Sequence, residues 1–95
     1  MTIDYCLKNV DEAEFNQLML DTGLCVEITE GEEAVIVPAD YTVLIDRIGP
    51  ITIGETTYPE YYSNLRILGL LNEEQVKQID QFAIDPSQPQ YRTWL

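Results

Sequence analysis

The hydrophobic residues of this chain change period twice within its first 30 positions, and few architectures allow that. Ile3, Tyr5 and Leu7 alternate with Asp4, Cys6 and Lys8, the period of a half-buried strand. Phe15, Leu18, Met19 and Thr22 then fall at i, i+3, i+4 and i+7, a single helical stripe. Leu24, Val26 and Ile28 return to period two against Cys25 and Glu27. A helix wedged between strands requires an α+β layering, in which the helix covers one face of a sheet.

The punctuation agrees with this reading. Asn9, with Glu12 at the third helical position, predicts a capping box for a helix over about residues 10 to 22. Gly23 supplies its left-handed stop, and Asp11, Glu12 and Glu14 sit at the positive end of its dipole. Glu30-Gly31-Glu32-Glu33 predicts a turn into a third strand, Ala34-Val35-Ile36-Val37, that Pro38 ends or places at an edge. A β-rich run from Tyr41 to Ile48 meets Gly49-Pro50, and Ile51-Thr52-Ile53 extends it toward a turn at Gly54-Glu55. Residues 60 to 68 form the return strand, with Tyr61, Ser63, Leu65 and Ile67 on one face and Tyr62, Asn64, Arg66 and Leu68 on the other. Asn72 caps a second helix whose buried stripe runs through Val76, Ile79 and Phe82. Ile84 and the proline-bounded Tyr91-Arg92-Thr93-Trp94-Leu95 read as a last strand. The expectation is one domain, a mainly antiparallel sheet with two helices on one face, for which a ferredoxin-like arrangement is one candidate topology.

Charge excludes more functions than it suggests. The 95 residues carry 17 acids, 5 bases and no histidine, for a formal net charge of −12. The 28 Leu, Ile, Val and Phe residues are enough for a core, so the chain folds despite self-repulsion. Direct contact with nucleic acid or an anionic membrane through a basic surface is excluded. The N-terminus shows no basic flank and no apolar run of signal-peptide length, which predicts synthesis and residence in a cytoplasm.

Without histidine, the commonest general base and zinc ligand are missing, and neither Ser63 nor Ser87 has a base beside it. Cys6 and Cys25 lack metal-site spacing and read as reduced packing residues. No glycine-rich phosphate cradle or EF-hand ligand pattern exists, so no enzyme activity, cofactor or metal is expected.

The acids are unevenly spread: ten of them, against Lys8 alone, lie in residues 1 to 40. Asp11, Glu14, Glu30, Glu32 and Glu33 are the candidates for a carboxylate-rich surface, read either as a solvated face or as a docking surface for a basic partner. Its extreme form is an acidic, DNA-mimicking inhibitor of a host nucleic-acid enzyme. The aromatic residues concentrate late in the chain, and Tyr62, Arg66, Arg92 and Trp94 are the candidates for a protein-interaction face.

Three segments carry a resemblance. Asp46-Arg47-Ile48-Gly49-Pro50-Ile51, Tyr61-Tyr62-Ser63-Asn64-Leu65-Arg66 and Pro86-Ser87-Gln88-Pro89-Gln90-Tyr91-Arg92-Thr93-Trp94 occur in that order. In order and spacing this half of the chain resembles a group of small proteins encoded in the tail modules of tailed bacteriophages and prophages. Tyr62 stands where that group shows histidine, and the last arginine is displaced by one position. The resemblance implies a non-enzymatic tail-associated or assembly-accessory protein, made in the host cytoplasm, with other phage structural or assembly proteins as partners. Exposed strand edges in such a domain invite pairing with another copy or with a larger subunit. The resemblance further implies that Asn64, Arg66, Pro89, Arg92 and Trp94 are either structural signatures or contacts.

Overall fold

In the computed structural model, residues 2–84 are described. They form β1 (Thr2–Asn9), α1 (Glu12–Asp21), β2 (Cys25–Glu30), β3 (Glu33–Pro38), β4 (Val43–Ile53), β5 (Thr56–Leu68) and α2 (Glu73–Asp80). The fold is α+β, with every strand pairing antiparallel and both helices packed on one face. The strands divide into a three-stranded sheet, β1-β5-β4, and a separate two-stranded hairpin, β2-β3. This departs from the single continuous sheet of a ferredoxin-like arrangement.

The core follows from strand parity. Tyr5 faces Leu65, which faces Ile45, and Ile3 faces Ile67, which faces Val43, so one face of the large sheet is a continuous apolar surface. Phe15, Leu18 and Met19 of α1 and Ile79 of α2 close over it, joined by Leu7, Leu24, Cys25 and Tyr61. Gln75 of α2 donates through Nε2 to the Thr22 carbonyl oxygen at 2.8 Å, tying the two helices together.

α1 begins later than expected. Asn9 remains in β1, paired with Tyr61, and the N-cap is Asp11, whose Oδ1 accepts from the Glu14 N–H at 2.9 Å. Ladder hydrogen bonding along β1 outcompetes Asn9 as a cap, and the next residue able to cap takes over. Gly23, at φ 75, makes the stop a Schellman turn: its N–H donates to the Leu20 carbonyl and the Leu24 N–H donates to that of Met19. α2 has the full capping box between Asn72 and Gln75.

β4 runs through Gly49-Pro50 rather than ending there, with register shifts against β5 on both sides of Gly49. The glycine, at φ 78, supplies the left-handed residue such a bulge uses. After α2 the chain returns along β1: Lys8 donates to the Phe82 carbonyl at 2.9 Å and Ile84 to that of Cys6 at 2.8 Å. That contact covers part of the outer edge of β1.

Candidate functional site

Three groups of polar or exposed side chains are candidates: the outer face of the large sheet, the start of α1, and the β2–β3 hairpin. On the outer face, Arg66 meets Asp4 directly across the β1–β5 ladder. Its Nε donates to Oδ1 at 2.7 Å and its Nη2 to Oδ2 at 3.0 Å, a two-pronged clamp. The guanidinium holds the Asp4 carboxyl below the usual carboxylate range. Asn64, only 2% exposed, accepts from the Cys6 thiol and donates to Asp46, each at 3.4 Å, so it ties β1, β5 and β4 together. Tyr62 is 3% exposed, its hydroxyl donates to Glu60 at 3.4 Å, and burial pushes its phenol up. Tyr62 and Arg66 therefore both make internal contacts across and along the sheet. Arg92 and Trp94 lie outside the described residues.

The start of α1 uses its carboxylates locally. Asp11 is the cap, and Glu14 Oε1 accepts from the Val10 N–H at 2.9 Å and from Asn9 Nδ2 at 3.2 Å. Glu12 accepts from the Tyr61 hydroxyl at 3.2 Å and lies 3.7 Å from Arg47. Arg47 also donates to Asn16 at 2.9 Å and stands 5.1 Å over the Phe15 ring, a cation–π geometry. Sequence reasoning missed this Arg47–Asn16–Tyr61–Glu12 group, because its members lie on three elements. Among the described residues no three His, Cys, Asp or Glu side chains are grouped to hold a metal ion. Both cysteines are free thiols, and burial in the core pushes that of Cys25 up.

The hairpin differs from both. Its register pairs Val26 with Val37, Ile28 with Val35 and Glu30 with Glu33, and side chains paired across a ladder share a face. Cys25 and Ile36, on the opposite face, are the hairpin's side chains that pack on the core. The four β-branched residues thus point away from the chain's own core, while Glu27 and Thr29 share the inward face. Val26 is 43% exposed and Ile28 39% exposed, while their cross-strand partners Val37 and Val35 are half-buried.

The period-two pattern of Leu24, Val26 and Ile28 does form a strand, but its members do not share one buried face. The Schellman turn buries Leu24 and Cys25 consecutively, so the alternation does not carry through the junction, and Cys25 sets which face turns inward.

The acids of the hairpin are unlike those of α1. Glu27, Glu30, Glu32 and Glu33 are all exposed. Among the described residues the ion pairs are Arg47 with Glu12 and Arg66 with Asp4, and neither involves these four carboxylates. Glu30 and Glu33 sit directly opposite one another at the tip, an arrangement that costs stability. Gly31 at φ 63 opens the two-residue turn, the position a type II′ turn reserves for glycine. The proposed acidic surface therefore splits into Asp11 and Glu14, which cap α1, and Glu30, Glu32 and Glu33, which face solvent.

The hairpin is a separate two-stranded sheet. A two-stranded hairpin is marginal alone, and this one leans on α1 through β2 and on β4 through β3. No helix among the described residues is long and apolar enough to cross a membrane. Comparison with protein-family models, with curated proteins and with solved structures finds no match to this chain.

Proposed function

We propose that this chain is a non-enzymatic protein-contact domain of a phage or prophage tail module, acting as a tail component or an accessory to tail assembly, and that the β2–β3 arm makes the contact. The observation that carries this reading is the outward face of the hairpin. A chain free to bury Val26, Ile28, Val35 and Val37 gains stability by doing so, since each buried apolar side chain contributes roughly 1.5–3 kcal/mol. Leaving Val26 and Ile28 exposed on that face, with Val35 and Val37 only half-buried beside them, is a cost that a partner's surface offsets. The resemblance of residues 44 to 95 supplies the setting. Asn64 and Arg66, the described residues of that pattern, act here as cross-strand ties, which suits a scaffold that presents the arm.

Against the alternative of an acidic DNA-mimicking inhibitor, the α1 carboxylates are committed to caps and to Arg47 rather than forming a row that imitates phosphates. The test is photo-crosslinking in lysogenic or infected cells, with the crosslinker at position 28 and, as control, at exposed Glu55. Conjugates with a tail-module protein at position 28 alone support the reading. Conjugates with a host nucleic-acid enzyme, or equal yields at both positions, overturn it.

A further inference from the structure

We propose that the outward face of the β2–β3 hairpin seats an apolar protein segment bearing lysine or arginine at one end, with its apolar side chains on Val26, Ile28, Val35 and Val37 and its cation between the carboxylates of Glu30 and Glu33. This rests on the contact reading above and names the partner's chemistry. Along that face three cross-strand pairs follow one another: Val26 with Val37, Ile28 with Val35, then Glu30 with Glu33. The sequence of surfaces is apolar, apolar, acidic, in steps of about 7 Å, two residues of strand rise.

A segment that matches the first two steps reaches the third within one further step. There it meets two like charges held opposite each other, with no cation from this chain among the described residues. A single lysine or arginine relieves that repulsion and gains two attractions at once.

Charge also decides between this partner and a second copy. Each chain carries −12, and Glu32 in the turn lies next to the facing Glu30–Glu33 pair, so apposed copies repel. The apolar patch spans two residue pairs on two strands, on the order of 10² Å². That is well short of the ~800 Å² per partner of a standard interface, so the patch cannot hold a dimer against that charge unaided. A short segment of opposite charge needs no such area, because its charge contributes to capture.

The test uses the full chain, labelled with ¹⁵N, and three synthetic peptides of equal length. The first alternates valine and threonine and ends in lysine and arginine, the second ends in glutamates instead, and the third keeps the cations but replaces valine by serine. The first is expected to shift the amides of residues 25 to 38, with affinity falling as salt rises from about 0.05 M to about 0.5 M. Val26→Thr/Ile28→Thr and Glu30→Gln/Glu33→Gln are each expected to weaken it about tenfold. Threonine preserves the β-branch of the hairpin. If the threonine variant unfolds the hairpin, the glutamine variant decides, since it removes a repulsion and keeps the strands paired.

Equal binding of the first and second peptides, or of the first and third, overturns the inference. So does a concentration-dependent shift of residues 25 to 38 with no peptide present, which assigns the face to a second copy. If no peptide binds while position 28 still crosslinks to a tail-module protein, the partner chemistry is wrong and the contact reading stands. If both fail, both fall.

Discussion

Replacing Glu33 by lysine is predicted to slow local opening of the β2–β3 hairpin without changing the stability of the large sheet. Glu30 and Glu33 are direct cross-strand partners, which places their Cβ atoms about 5 Å apart. At that separation two unit charges repel by about 0.8 kcal/mol in water, and screening at physiological salt roughly halves this. Lysine turns the repulsion into an attraction of similar size, a swing of about 0.8 kcal/mol, or about fourfold in an opening equilibrium.

The hairpin is a separate sheet that touches the rest of the fold chiefly at α1 and β4, so the gain belongs to its own opening rather than to global unfolding. Native-state amide exchange reads it: amides of residues 25 to 38 slow about fourfold, those of β5 do not change, and the gain falls to about a third or less in 1 M salt. Glu55→Lys is the control. It lies in the other hairpin turn, is exposed, has no opposed carboxylate in the β4–β5 register, and changes net charge equally. Unchanged or faster exchange in Glu33→Lys, or the same slowing in Glu55→Lys, refutes the reasoning.

Other outcomes follow from the same geometry. Leu65→Ala empties the centre of the core, where the side chain is fully buried between Tyr5 and Ile45, and should lower stability by about 3 kcal/mol or more in urea titration. Asn72→Ala removes the α2 capping box and should cost about 1 kcal/mol by the same measurement.

Asp4→Asn should cost less than about 1 kcal/mol at neutral pH, because the pair with Arg66 is half exposed and screened. The folded-state pKa of Asp4 is depressed, so its contribution is present above the ordinary carboxylate pKa and lost as pH falls through the lowered value. The gap between wild type and Asp4→Asn in acid titrations of stability should therefore close below that range, and a gap constant with pH would contradict the clamp.

Local order was legible from the sequence wherever a residue's partners are its neighbours. The stripe of Phe15, Leu18 and Met19, the Gly23 stop, the turn at Gly31 and the face shared by Tyr61, Ser63, Leu65 and Ile67 all lie where periodicity and turn chemistry place them. The α+β layering follows from the same signals. What periodicity does not contain is which of two faces meets the core, and for Val26 and Ile28 the choice is made at the Leu24–Cys25 junction. The division into two sheets was not legible either, because it depends on where β2 and β3 dock rather than on their own patterns.

Asn64 and Arg66 were legible as a pair fixed on one strand. Their partners Cys6, Asp46 and Asp4 come from strands remote in the chain, which no local spacing announces. Across the ladder Arg66 meets Asp4, while Glu60, two residues along β5, accepts from the Tyr62 hydroxyl.

The proposed contact through the outward face of the β2–β3 hairpin is tested most directly by amide exchange on the chain alone and on the chain isolated within its assembly. Strong new protection is expected across residues 25 to 38, with β1 and β5 unchanged. Hairpin amides that exchange equally in both samples, with new protection on α1 or the large sheet, would contradict it.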